Sequence, residues 1–185
     1  GIVLNGVGGM REYAASGFSA ETAYGAIYHL HRETDRTWTQ KLKPQLESLT
    51  EEERGRLEEI CEDLLTAMWE GQKKGGADTL RMLLDDSDGA EREALTQKLL
   101  YAACLMGGPK VSTASRKTIN ALTGGEAEDF RAGLLRCLLS EEEVLPAAAQ
   151  KLAGDLTGEE RQAMLMQAWY VSNGSTESAV TEHVN

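Results

Sequence analysis

Four acidic helix-start signals recur along this chain, and their spacing constrains the fold more than any other feature. Thr50 is followed by Glu53, Asp88 by Glu91, Thr123 by Glu126 and Thr157 by Glu160. In such a capping box the first side chain accepts from the third amide of the helix, and the glutamate reaches back to the cap's own amide. Ser140 with Glu143 reads as a fifth start of the same kind. The first four caps stand 38, 35 and 34 residues apart. Seven residues after each cap come Leu57, Leu95, Phe130 and Met164. Eleven residues on are Cys61, Leu99, Leu134 and Ala168; fourteen on are Leu64, Ala102, Cys137 and Val171. All twelve are apolar, as a single buried helical stripe requires.

Shorter apolar segments follow the first three long helices. Leu80, Leu83 and Leu84 carry one, Ile119 and Leu122 the next, and Leu152, Ala153 and Leu156 the third. The expectation is an all-α fold of about eight helices in consecutive helix pairs. Short loops in a compact bundle generate such spacing. So does an α-repeat array with a period near that of tetratricopeptide-type units. The aromatic, glycine and proline signature of those units is missing here. The compact bundle is therefore the expectation, with repeat character left open.

Strand signals are nearly absent. One β-like run, residues 2–5, precedes Gly6, Gly8 and Gly9. A dinucleotide loop would need a third glycine where Arg11 stands, and a surrounding βαβ unit. Residues 1–18 therefore read as a flexible arm, residues 19–173 as one helical domain, and residues 174–185 as a disordered polar tail. Pro44 should break or kink the first helix. Pro146 lies too deep for a helix starting at Ser140, so a turn or a new helix is expected beside it. Residues 50 to about 74 should form a surface helix with one apolar stripe. Residues 99–106 are apolar all round and should lie centrally.

With 185 residues, 41% hydrophobic and 26% charged, the chain can bury a proper core. The net charge of −11 disfavours nucleic-acid backbones and anionic membranes and favours basic partners. No apolar run reaches the roughly 18 residues of a membrane span. Three cysteines, Cys61, Cys104 and Cys137, lack the pairing of a disulfide framework or zinc site. A reducing, cytoplasmic setting is the expectation, although an exported effector would have the same composition.

Candidate chemistry concentrates in residues 28–35, which contain His29, His31, Glu33 and Asp35. At about 100° per residue the two histidines point about 160° apart, so one straight helix cannot aim both at one metal. His31 and Asp35, four residues apart, are the usable pair. A bundle metal site needs further ligands from other helices, and none is evident. Core-edge packing is expected, without metal or cofactor. Lys110, Arg116 and Lys117 form a basic cluster near a helix start, a candidate anion site. The cysteines fall on apolar stripes and read as inert core residues. Neither a nucleophile elbow nor a phosphate-binding loop is present.

The functional expectation is a non-enzymatic protein-interaction module: an adaptor, regulator or effector-like domain. Trp69 and the adjacent Trp169 and Tyr170 are its candidate partner-binding residues, because half-exposed aromatics anchor interfaces. Two alternatives remain: a helical enzyme or metal protein using His31 and Asp35, and a structural homo-oligomer built on residues 99–106.

Overall fold

The computed structural model describes residues 37–72, 76–105, 111–140 and 144–174. The expected N-terminal arm, residues 19–36 and the tail from residue 175 lie outside the described residues. Within them the fold is all-α. A π-helical segment, Thr37–Leu42, leads into α1 (Lys43–Glu47). There follow α2 (Glu51–Gln72), α3 (Gly76–Asp85), α4 (Gly89–Leu105), α5 (Thr113–Asn120), α6 (Gly124–Leu139), α7 (Ala147–Ala153) and α8 (Gly158–Asn173). Long and short helices alternate from α2 onward, in the order the cap spacing implies.

The four long helices form a closed ring. α2 packs beside α4, α4 beside α8, α8 beside α6, and α6 returns to α2. A one-dimensional repeat stack would keep contacts between neighbouring units only. Here the last long helix also packs against α5, α7 and the π-helical segment. The stripes aligned from the four caps fill the ring. Cys61, Leu64, Leu99, Ala102, Leu134, Cys137, Ala168 and Val171 are all buried. The helix expected to be central is so: every residue from Thr96 to Cys104 in α4 is buried.

The helix starts divide into two kinds. At α2 the capping box forms in full: Glu53 N donates to Thr50 Oγ1 at 3.1 Å, and Thr50 N donates to Glu53 Oε1 at 2.9 Å. At α6 and α8 the hydroxyls of Thr123 and Thr157 cap nothing. The reason is the following residue. Gly124 and Gly158 take φ of +57°, as Gly89 takes +51° at α4, so the chain enters these helices through a left-handed residue. The cap hydroxyl is then no longer aimed at the third amide. The first helical bond is also longer, 3.3 Å to Thr123 O and Thr157 O against 2.9 Å to Thr50 O.

Two other expectations change. Ser140 ends α6 rather than starting a helix, and α7 begins after Pro146, which serves as its cap. Proline supplies no amide to the interior of a helix but fits its beginning, so Pro146 sets the boundary. Pro44 occupies the first turn of α1, where π winding gives way to α winding.

Arginines tie the turns to the ring. Arg54 of α2 donates to Leu46 O at 2.9 Å, Arg92 of α4 to Leu84 O, and Arg136 of α6 to Ser48 O at 2.8 Å. Each satisfies a carbonyl at or just after the end of α1 or α3. Deeper, a polar network crosses the core. Trp169 Nε1 donates to Gln45 Oε1 at 2.7 Å, and Gln45 Nε2 donates to Asn173 Oδ1 at 2.9 Å and to Lys41 O at 2.8 Å. Asn173 Nδ2 closes it on Trp169 O at 2.9 Å.

Three substitutions test these features by their effect on stability. Gln45→Ala is expected to cost roughly 2–4 kcal/mol in chemical denaturation, because it orphans the buried indole N–H and the Asn173 carbonyl. A loss below about 1 kcal/mol would mean that the network contributes little. Gly124→Ala is expected to cost about 1 kcal/mol through its positive φ. Gly55→Ala, within α2 and with open space around the added methyl, should gain about 0.5–1 kcal/mol.

Candidate functional site

The two adjacent aromatics of α8 separate, as neighbours on one helix must. Trp169 is wholly buried. It meets the Tyr101 ring edge-on, at 6.0 Å between centroids and 75° between planes. Tyr170 is half-buried and lies tilted against the same tyrosine at 5.0 Å. The candidate interface therefore loses Trp169: its indole N–H is satisfied by Gln45, so its whole surface can be buried and none of it faces a partner. Trp69 lies on α2, but its side chain is outside the described residues. Trp38 is half-buried, with Lys98 Nζ 4.7 Å from its ring centre.

The basic cluster is only partly described. Arg116 is half-buried and Lys117 exposed on α5, while Lys110 lies outside the described residues. One first-turn amide of α5, that of Ser115, is already taken by Ser112 Oγ at 3.1 Å. His31 and Asp35 also lie outside. Among the described residues no group of three or more His, Cys, Asp or Glu side chains could share a metal ion. The cysteines are free and buried. Burial, reinforced by Glu58 and Glu62, pushes the Cys61 thiol well up, and burial alone raises Cys104. Both stay protonated at neutral pH, which removes the thiolate a nucleophile needs. Of residues 99–106, offered as a self-association surface, 99–104 are buried within the chain, and the side chains of the last two lie outside the described residues.

Two features escaped the sequence reading. The first is an exposed apolar pair on α3: Met82 is 64% exposed and Leu83 38%, while Leu80 and Leu84 hold the helix to the ring. The second is a groove of about 190 Å³ between the first helical turns and α6. Lys41, Gln45 and Ser48 line one side, and Glu128, Asp129 and Arg131 the other. Burial, then the nearby charge of Arg131, pushes Lys41 down to about 8. Burial also lowers Arg131, against the opposing pull of Glu128. The groove gave no sign in sequence because its halves are some ninety residues apart. Lys41 also sits on a π turn, whose wider winding shifts side chains off the usual helical angles.

The fold and groove define a class of protein: an all-α bundle whose four long helices close into a ring, with a small charged groove beside its first described turn. No protein family, no curated protein and no solved structure matches this chain.

Lys41 makes stability depend on pH. Its ordinary value is 10.5, so between about 8 and 10.5 the unfolded chain keeps a proton that the folded chain has released. Below that window both states are protonated and the folded state bears the whole cost of burying the ammonium. Lys41→Gln is thus expected to stabilise the protein at pH 7 by on the order of 1 kcal/mol, allowing for solvent screening at a half-buried site. Its advantage should shrink as pH rises through the window. Denaturant titrations at pH 7, 8, 9 and 10 would measure this, and a constant gap contradicts it.

Proposed function

We propose that this chain is a non-enzymatic helical module that recognises a protein partner, with α3 as part of the contact face. The observation that carries the reading is the exposed pair Met82 and Leu83 on a helix whose Leu80 and Leu84 are buried. Methionine on a surface adapts to varied apolar partners, and leucine beside it widens the patch. Asp85, Asp86 and Asp88, all exposed, follow directly. With a net charge of −11, this surface suits a partner that brings an apolar anchor flanked by basic residues. Nucleic acid and anionic membranes fit it poorly on charge, and no helix among the described residues is long and apolar enough to cross a membrane. Free buried thiols suit a reducing, cytoplasmic setting. Tyr170, half-buried on α8, is a secondary contact candidate.

Affinity capture with a paired variant tests this. Wild-type protein is expected to retain a partner that Met82→Glu/Leu83→Glu binds about tenfold more weakly, with a melting temperature within about 2 °C of wild type. Added salt should weaken capture through the acidic residues. A partner held equally by both proteins moves the contact off α3. A protein that stays alone and monomeric overturns the interaction reading.

A further inference from the structure

Buried cations in proteins are normally paired or hydrogen-bonded, because an uncompensated charge is expensive to remove from water. Among the described residues the deeply buried cations are Lys98 and Arg131, and Arg131 is the one without a partner. Arg54, Arg81, Arg92 and Arg136 all reach a carboxylate or a carbonyl. Lys98 lies over the Trp38 ring. Arg131 is more deeply buried than any of those arginines, 9% exposed, yet among the described residues it has no hydrogen bond or ion pair. Lys41, across the groove, has no ion pair either, and its ammonium feels the Arg131 charge. The fold therefore holds two like charges beside one groove, neither in an ion pair, with Glu128 pulling on Arg131 through space without bonding it.

The negative groups nearby do not supply the missing partner. Glu128 stands one turn before Arg131 and Asp129 two residues before it, both exposed, and neither pairs with Arg131 or Lys41. Both carboxylates are exposed, where water screens them, while Lys41 is half-buried and the Arg131 side chain is mostly covered, its guanidinium keeping contact with solvent. Within the groove, Gln45 is committed to the Trp169 and Asn173 network, and Ser48 Oγ donates to Gln45 O at 2.8 Å. Arg131 and Lys41 are the groups left to bind something else.

We propose that this groove binds a small carboxylate, its two oxygens held between the Arg131 guanidinium and Lys41 Nζ. Three features select that chemistry. A planar guanidinium takes a carboxylate through two parallel bonds, and the ammonium adds a third donor. The exposed acids, two negative charges, repel a dianion such as phosphate more strongly than a monoanion. A small open groove of about 190 Å³ suits a ligand of a few heavy atoms. A ligand that also bears an ammonium gains from Glu128 and Asp129. The site lies apart from α3 and stands independently of the interaction reading.

Acetate, glycine and inorganic phosphate, titrated at constant ionic strength into the full chain, test this. The readout is the Lys41 side-chain resonance by NMR, assigned with Lys41→Gln. Acetate and glycine are expected to saturate and to raise Lys41 by about one unit from its value near 8, because a bound anion favours the charged amine. Arg131→Gln should abolish saturation. Arg131→Lys, which keeps the charge without the fork, should weaken it about tenfold and serves if the glutamine variant misfolds. Phosphate should bind more weakly than acetate. The proposal is overturned if no saturable shift appears by about 100 mM acetate, which would be weaker than any specific site of this kind. It is equally overturned if phosphate binds more tightly, or if Arg131→Lys, folded, leaves acetate binding unchanged.

Discussion

Gln45 holds the two ends of the described chain in one register, and much else depends on it. Its amide accepts from the Trp169 indole and donates to Asn173, so one side chain of α1 is bonded to two residues of α8. Apolar packing alone would let these helices slide, because hydrophobic contact has no direction. Hydrogen bonds between buried groups do have direction, and leaving any of them unmade is costly. α8 is also the helix against which α4, α5, α6 and α7 pack. Its placement therefore determines where the ring closes. The same amide donates to Lys41 O, which sets the last turn of the π-helical segment and with it the wall of the charged groove.

The joints around the ring solve one problem by three devices. Helix ends leave amides and carbonyls without partners. At α2 the side chains of Thr50 and Glu53 satisfy the amides. At α4, α6 and α8 a left-handed glycine turns the chain into the helix, and the preceding carbonyl takes up the first bond. At the ends of α1 and α3, arginines from the next long helices reach back to free carbonyls. On this acidic chain, arginine has a second use. Arg92 also bonds Glu58, and Arg81 bonds Glu62, so α2, α3 and α4 are laced by opposite charges. These pairs are partly exposed and contribute modestly. Arg131 is the departure from the pattern, deeper than the others and unspent.

What could be read before the structure followed periodicity. The stripes at the seventh, eleventh and fourteenth positions after each cap are local consequences of helical winding, and the residues at the last two positions are buried in all four helices. The capping box at Thr50 is equally local. Failures began where a local signal had two meanings. A cap followed by glutamate looks the same whether or not glycine intervenes in a left-handed conformation. Ser140 resembled a start, yet Pro146 six residues on displaced the next helix. Leu83 looked like a core residue beside Leu80 and Leu84, but α3 is short and buries only one side. One of Trp169 and Tyr170 was expected to be half exposed because adjacent residues cannot share a face; geometry does not say which of the two turns inward.

The sequence by itself determined the helices, their alternation of long and short, the net negative charge and, within residues 99–106, the central place of 99–104. Those follow from winding, capping and composition, each set by residues within a few positions of one another. Only the tertiary structure decided that the long helices close into a ring, that Gln45 rather than an apolar residue meets Trp169, and that Arg131 comes to lie near Lys41. These juxtapositions join residues about 90 to 130 positions apart. No local rule reaches that far, because such pairings are set by how all the buried stripes are satisfied at once.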